Sequence, residues 1–227
     1  GSRNEYKILT SKERSIKLPM QQGNSRLNKV SVSAVDRMGN ESAVAETSLS
    51  VVLIQPRSSW NAAEPKPFKQ QEPVRITVHH EGGKVLADTA NAATRLKNVQ
   101  TWSMGPDRKW ADIPYHYLIA PDGTVYEGRN PHTVGETNTE YDPTGHLLIS
   151  FLGNYNQQEL NPNLLNTLTR LIAHFCMKYN ISPENIATHR DYSKNTTCPG
   201  PNIYPYFQNG YIKNEVKKIL AEVQKEN

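Results

Sequence analysis

The stretch Val74-Arg-Ile-Thr-Val-His-His80 decides the fold. Its strict alternation is that of a β-strand, with Ile76 and Val78 on one face and Arg75, Thr77 and His79 on the other. One face is expected to pack and the other to stay free for chemistry. A strand that ends in two histidines presents only one of them to a given site. His79 shares the face of Thr77, opposite the apolar pair, and is the better ligand candidate, although a lone histidine there is more often structural.

Downstream, the pattern is mixed α/β. Thr89 to Ser103 carries Ala93, Leu96, Val99 and Trp102 near helical spacing, and Tyr115 to Ala120 returns to strand. A Pro121-Asp122-Gly123 turn then opens into Val125-Tyr126, continuing the sheet as a hairpin. Leu147 to Leu152 is an unbroken apolar run, the signature of a central strand buried on both sides. Asn163 to Lys178 repeats Leu164, Leu165, Leu168, Leu171, Ile172 and Phe175 as a core-facing helix, and Ile212, Val216, Ile219, Leu220 and Val223 mark another that closes the chain. The expected fold is α/β, a mixed central β-sheet flanked by helices.

Upstream, Asn28 to Val52 alternates through Val30, Val32 and Ala34 to a Gly39-Asn40 turn, and a second alternating run follows from Thr47 to Leu53. This is a β-hairpin by pattern. The stretch Ala34-Val-Asp-Arg-Met-Gly-Asn-Glu-Ser42 resembles the turn after the penultimate strand of a fibronectin type III module. About 55 residues are too few for seven strands, so the resemblance implies a partial module packed against the main domain; an ordinary hairpin of no particular family fits the same residues. Pro56, Pro65, Pro67 and Pro73 mark a connector, and the boundary is expected near Ile54, with an all-β segment over 1–54 and the main domain over 55–227.

The 227 residues suit one well-buried domain with an appendage, and 36% apolar and 21% charged residues describe an ordered globular chain. No stretch approaches the roughly 20 apolar residues needed to cross a bilayer. The chain opens Gly1-Ser2 without an initiating Met, as a tag-removal scar would, so the lack of a leader says little about secretion. A net charge of +4 is modest, and Lys and Arg are scattered rather than gathered into the dense stripe of many nucleic-acid binders; a polyanionic cell wall suits that charge as well as nucleic acid would. Of the two cysteines, Cys176 falls on the apolar side of its helix and reads as a small buried hydrophobe; a disulfide to Cys198 is the minor alternative.

The chemistry gathers in four short segments. His79-His80 ends a strand. Thr188-His189-Arg190-Asp191 is followed, nine residues beyond His189, by Cys198-Pro199-Gly200. Zinc accepts both imidazole and thiolate, and two His with one Cys leave the fourth tetrahedral position open, as a catalytic zinc needs. Trp110-Ala-Asp112-Ile-Pro-Tyr115 brings a phenol to the start of a strand, and Asp122-Gly-Thr-Val-Tyr126-Glu-Gly128-Arg129 ends a hairpin in a glycine that permits close backbone approach. Asp191 is expected to fix its loop rather than bind metal, because a fourth protein ligand would close the site. Glu81 reads as a solvated loop charge in preference to a local acid or base. Trp60, Trp102 and Trp110 read as packing residues, with a sugar-stacking role for one of them as the alternative.

In this order, and with Arg57-Ser-Ser-Trp60 and Gly153-Asn154-Tyr155 added, the motifs resemble the type 2 N-acetylmuramoyl-L-alanine amidases and the related peptidoglycan recognition proteins over about Pro56 to Tyr211. The resemblance implies a zinc-containing groove with His79, His189 and Cys198 as metal ligands and with Tyr115 and Thr196 as catalytic residues. It implies zinc as cofactor and peptidoglycan or a muropeptide as substrate, cut at the amide joining N-acetylmuramic acid to L-alanine. It further implies a bacterial protein of the cell envelope, periplasmic or secreted, with no nucleic-acid partner. Glu136 to His146 departs from the family pattern, so substrate recognition is least legible there. A non-catalytic peptidoglycan-binding module is the alternative, and Cys198 argues against it because relatives that only bind wall fragments typically lack the thiolate. A structural-metal or adhesion protein draws on the fibronectin-like stretch alone.

Overall fold

The computed structural model describes residues 30–47 and 52–225, and the chain falls into two compact units, 1–49 and 50–227. In the first unit, β1 (Val30–Val32) pairs antiparallel with β2 (Ala45–Thr47). The expected Gly39-Asn40 turn is present. The Asp36 carboxylate accepts from the amides of Met38 and Asn40 at 2.8 and 2.9 Å, and Gly39 takes a φ of +86°, which a residue without Cβ adopts freely. Of the run expected from Thr47 to Leu53, only Thr47 pairs within this hairpin among the described residues. Residues 1–29, and with them most of the fibronectin-like reading, lie outside the described residues.

The second unit is built on a six-stranded sheet. Its members are β3 (Ile54–Gln55), β4 (Arg75–His80), β5 (Tyr117–Ile119), β6 (Val125–Glu127), β7 (His146–Phe151) and β8 (Ile186–Thr188), in the spatial order β3-β6-β5-β7-β4-β8. Only the β5–β6 hairpin is antiparallel; β4 runs parallel to both β7 and β8. Ile54, where the sequence places a boundary, is thus an edge-strand residue of the larger sheet.

Among the described residues, three helices follow from the periodicities, α1 (Ala92–Met104), α2 (Pro162–Tyr179) and the C-terminal α5 (Tyr211–Lys225), and two short ones that the sequence did not announce lie before the last, α3 (His189–Tyr192) and α4 (Pro205–Gln208). Asn91 and Asn161 cap α1 and α2, each side chain accepting from a first-turn amide, and Asn180 closes α2 in the left-handed conformation. On one sheet face, Ile76, Val78, Ile119, Leu147 and Ile149 pack against Leu168, Leu171, Ile172 and Phe175 of α2 and Ile212 and Val216 of α5. On the other, Leu118, Leu148 and Leu152 meet Leu96 and Val99 of α1, with Trp60 and Tyr115 in the same cluster. Truncating any of the wholly buried leucines to alanine costs about 2–5 kcal/mol in such cores.

One expectation is corrected. The second face of β4 is not open: Thr77 is wholly buried and its hydroxyl meets His146 Nδ1 at 2.8 Å. The strand lies between two parallel neighbours with both faces covered, and alternation in the sequence marks where its polar groups point, not that they meet solvent.

Candidate metal centre

Two parallel strand ends and one loop make the site. The register sets Val78 of β4 opposite Thr188 of β8, so the next residues, His79 and His189, emerge side by side with ring centroids 4.9 Å apart. Thr188 caps α3 in a reciprocal box, its amide and hydroxyl both donating to the Asp191 carboxylate at 2.7 and 2.8 Å. The other Asp191 oxygen accepts from the Tyr204 phenol, so Asp191 fixes the loop, as expected. Cys198 is drawn in by backbone contacts. Its carbonyl accepts from the Arg190 amide at 3.1 Å, and its sulfur accepts from the His80 amide at 3.3 Å.

The result is a cluster of His79, His189 and Cys198 whose ligand atoms all lie within 4.8 Å of one another. Cys198 Sγ stands 3.6 Å from His79 Nδ1. Metal–nitrogen and metal–sulfur bonds of about 2.0–2.1 and 2.3 Å at a tetrahedral angle span about the same edge, so this donor pair fits a shared zinc-sized cation. His79 and Cys198 are buried and His189 is partly exposed, which leaves the approach to the cluster on the His189 side. Burial lowers the pKa of both His79 and His189, with neighbouring histidines adding to the effect at His79 and Glu140 opposing it at His189. Both imidazoles are therefore neutral and able to ligate near pH 7. Burial pushes the Cys198 thiol up to about 12, against the His80 amide, which favours the thiolate. A bound cation is what would draw off that proton.

His80 takes no part in the cluster. Its Nδ1 accepts from the Tyr155 amide at 3.1 Å, and burial lowers its pKa to about 4. Of the two strand-end histidines, only His79 faces the centre. Cys176 and Cys198 are both free thiols, so no disulfide joins them.

Tyr115 lies two residues before β5, with its ring 5.3 Å from that of His79 and its hydroxyl 3.5 Å from the His80 carbonyl oxygen. The Gly128 approach anticipated from sequence is what holds it. A Cβ on Gly128 would collide with the Tyr115 carbonyl oxygen, and the Arg129 amide donates to that oxygen at 2.8 Å. Burial, helped by the nearby Cys198 and Glu81, pushes the Tyr115 phenol above its ordinary pKa. Thr196 is partly exposed, and its hydroxyl accepts from the Cys198 amide at 3.1 Å. It shapes the loop that carries the sulfur.

Several groups around the centre were not singled out by sequence. Arg129 is 2% exposed and spends its guanidinium on the carbonyls of Ile113, Val134 and Asp112 and on the Glu136 carboxylate. Glu136, in the segment that departs from the family pattern, is thus a structural anion. Glu81 is not a solvated charge: it pairs through both carboxylate oxygens with Arg95 and accepts from the Gly153 amide, pinning the loop after β4 to α1. Trp60 is buried and donates to the Glu127 carbonyl oxygen, whereas Trp102 is 51% exposed and stacks with Arg108 instead of packing. Tyr141 and His146 are aromatic neighbours on the centre's rim. Tyr141 lies in an irregular loop without periodic signal and His146 opens β7 just before its apolar run, so the sequence marked them only as part of a segment that departs from the family pattern.

A family model described as N-acetylmuramoyl-L-alanine amidase matches residues 69–201. The peptidoglycan-recognition protein SC1a of Drosophila melanogaster is 36% identical over 128 residues, 56% of this chain and 68% of that protein. Among solved structures, peptidoglycan recognition protein-LE, in complex with the monomeric diaminopimelic acid-type peptidoglycan tracheal cytotoxin, aligns with a TM-score of 0.61 and 31% identity over 69% of this chain and 92% of that one. The N-acetylmuramoyl-L-alanine amidase LysC from Clostridium intestinale aligns with a TM-score of 0.57 and 25% identity over 71% and 97%. Animal recognition proteins and a bacterial amidase share this architecture, so the expectation of a bacterial source draws no support from it. No helix among the described residues is long and apolar enough to cross a membrane.

Proposed function

The chain belongs to the N-acetylmuramoyl-L-alanine amidase family, and from that premise we propose that it is a zinc-dependent hydrolase of the amide between N-acetylmuramic acid and L-alanine in peptidoglycan. The convergence of His79, His189 and Cys198 carries this reading. Two neutral imidazoles and one thiolate hold zinc and leave a tetrahedral position for a reactant. Zinc bound there supplies an acidified water and a Lewis acid toward the scissile carbonyl.

The chain's own residues do the rest. Tyr115, kept protonated by burial, donates its phenolic hydrogen toward the oxygen of the lactyl carbonyl as negative charge develops on it. Thr196 holds the Cys198 loop by accepting from the Cys198 amide, and its hydroxyl hydrogen would be free to orient toward the same region. Water adds to the carbonyl carbon and the carbon–nitrogen bond breaks. The lactyl group leaves as a carboxylate and the stem peptide as a free α-amine. Neither hydroxyl titrates near pH 7, so their part is orientation and charge stabilisation rather than bulk proton transfer.

Peptidoglycan binding without cleavage is the second reading, favoured by relatives named as recognition proteins. Incubation with purified sacculi, followed by mass spectrometry of released peptides, separates the two. Chelator-sensitive appearance of stem peptides with free amino-terminal alanine is expected, and undiminished cleavage by metal-free protein would falsify the zinc mechanism. A substrate of this kind sets the protein in the cell envelope, the periplasm or the extracellular space. We keep the fibronectin-like remnant over 1–54 as part of this proposal, a module that would hold the enzyme over 55–227 near its surface.

A further inference from the structure

The loop between β6 and β7 closes over the metal centre through two consecutive residues. The Glu140 carboxylate accepts from the Ser193 hydroxyl at 2.7 Å and from the Asn195 side-chain amide, so it grips the segment that leads into Cys198. These two hydrogen bonds hold the Glu140 carboxyl below its usual range. The next residue, Tyr141, turns inward. Its hydroxyl lies 3.3 Å from His79 Nε2, and its ring sits 4.9 Å from His146, 5.1 Å from Tyr192 and, edge-on, 5.8 Å from His189. Thr137 and Thr139 offer hydroxyls to the Tyr141 phenol from the same loop.

The two nitrogens of His79 therefore face different partners: Nδ1 faces Cys198 Sγ and Nε2 faces Tyr141. A ligating imidazole must leave one nitrogen bare, and the partner of the other nitrogen selects which one. We propose that Tyr141, held by the grip of Glu140 on Ser193 and Asn195, is a positioning residue for the metal centre. It accepts the Nε2 hydrogen of His79 and so fixes the tautomer and ring angle that present Nδ1 to the cation. The inference rests on the zinc reading above and deepens it. It also gives a role to the segment where this chain departs from the family's sequence pattern. The strap ties the ligands from β4 to the loop of the third ligand, so that His79 and Cys198 are held relative to each other before metal arrives.

The test is zinc affinity, measured on the purified full chain by competition with a chromophoric chelator. It is paired with thermal melting of the metal-free protein and with nitrogen–proton spectra of the histidine side chains. Tyr141→Phe keeps the ring and removes the acceptor. It is expected to weaken zinc binding about 10- to 100-fold, the range usual for loss of an outer partner of a metal histidine. The metal-free melting midpoint should stay unchanged, and the exchange-protected Nε2 hydrogen of His79 seen in the zinc-loaded parent should be lost. Glu140→Gln, which keeps one acceptor oxygen and puts a donor in place of the other, should fall between the parent and Tyr141→Phe. Equal zinc affinity in the parent and Tyr141→Phe overturns the positioning role while leaving the zinc centre standing. A parent chain that takes up no zinc overturns both.

Discussion

Two polar clusters lie inside the larger unit, and they are built on opposite plans. Beneath the β5–β6 hairpin, Asp112 accepts from Arg57, Gln100 and the Ile113 amide, while Arg129 donates to three carbonyls and to Glu136. Every charge there meets an opposite charge or a matched dipole, as buried polar groups must if they are not to cost stability. At the strand ends, His79, His189 and Cys198 instead bring three atoms of metal-ligand type within 4.8 Å of one another, with the Cys198 sulfur in reach of His79 Nδ1 and the His80 carbonyl oxygen. The first cluster is complete as it stands and acts as scaffold for Tyr115. The second has a donor set that could hold a zinc-type cation.

Four substitutions or conditions would break or sharpen that contrast. The largest effect is expected from Cys198→Ala, which should abolish zinc uptake and amide cleavage while circular dichroism and melting of the metal-free protein stay near those of the parent. Retention of bound metal by elemental analysis would place the ligand set elsewhere. Arg129→Ala should do the converse. It leaves the metal ligands untouched but strands Glu136 and three carbonyls, at a cost of about 3–5 kcal/mol of folding stability in denaturant melts. A loss below about 1 kcal/mol would mean that this network is less dry than its geometry implies. Tyr115→Phe touches neither cluster's integrity. It should lower kcat by about 100- to 1,000-fold with zinc affinity and melting unchanged.

The smallest effect expected is a pH slope. His116 is wholly buried, its Nδ1 accepting from the Leu148 amide and its Nε2 facing the Thr133 carbonyl oxygen, each at 2.8 Å. Burial lowers its pKa from 6.5 to about 3, so the unfolded chain binds a proton that the folded chain refuses. Its contribution is whole above pH 6.5 and is lost as the pH falls toward 3. Metal-free protein should thus be less stable at pH 5 than at pH 7, and His116→Gln should flatten the slope. A slope indifferent to that substitution would assign the acid sensitivity to other buried histidines.

The relation between pattern and structure differs by region. The three long helices, the β5–β6 hairpin and the wholly buried β7 followed from local periodicity, because each repeats a residue spacing characteristic of its backbone geometry. The candidate ligand set was legible for another reason: the order of His79, His189 and Cys198 among the neighbouring motifs matched a known family. Glu81, Arg129, Glu136 and Tyr141 were not legible as what they are. Each owes its role to a partner distant in the chain or on another element, and a charged or aromatic residue in a loop looks the same in sequence whether solvent or a buried partner faces it.

By itself, then, the chain determined its longer helices and main strands, the strand face that carries His79, and three candidate ligands with a candidate phenol. Those depend on side-chain chemistry and on contacts between near neighbours. Tertiary structure alone decided the strand order that sets β8 beside β4, and with it the register that brings His79 level with His189. It also decided that both faces of β4 are covered and that Glu140 and Tyr141 close over the centre. Such features depend on which distant segments share the core, a choice made by the whole packing energy at once and written in no single stretch of sequence.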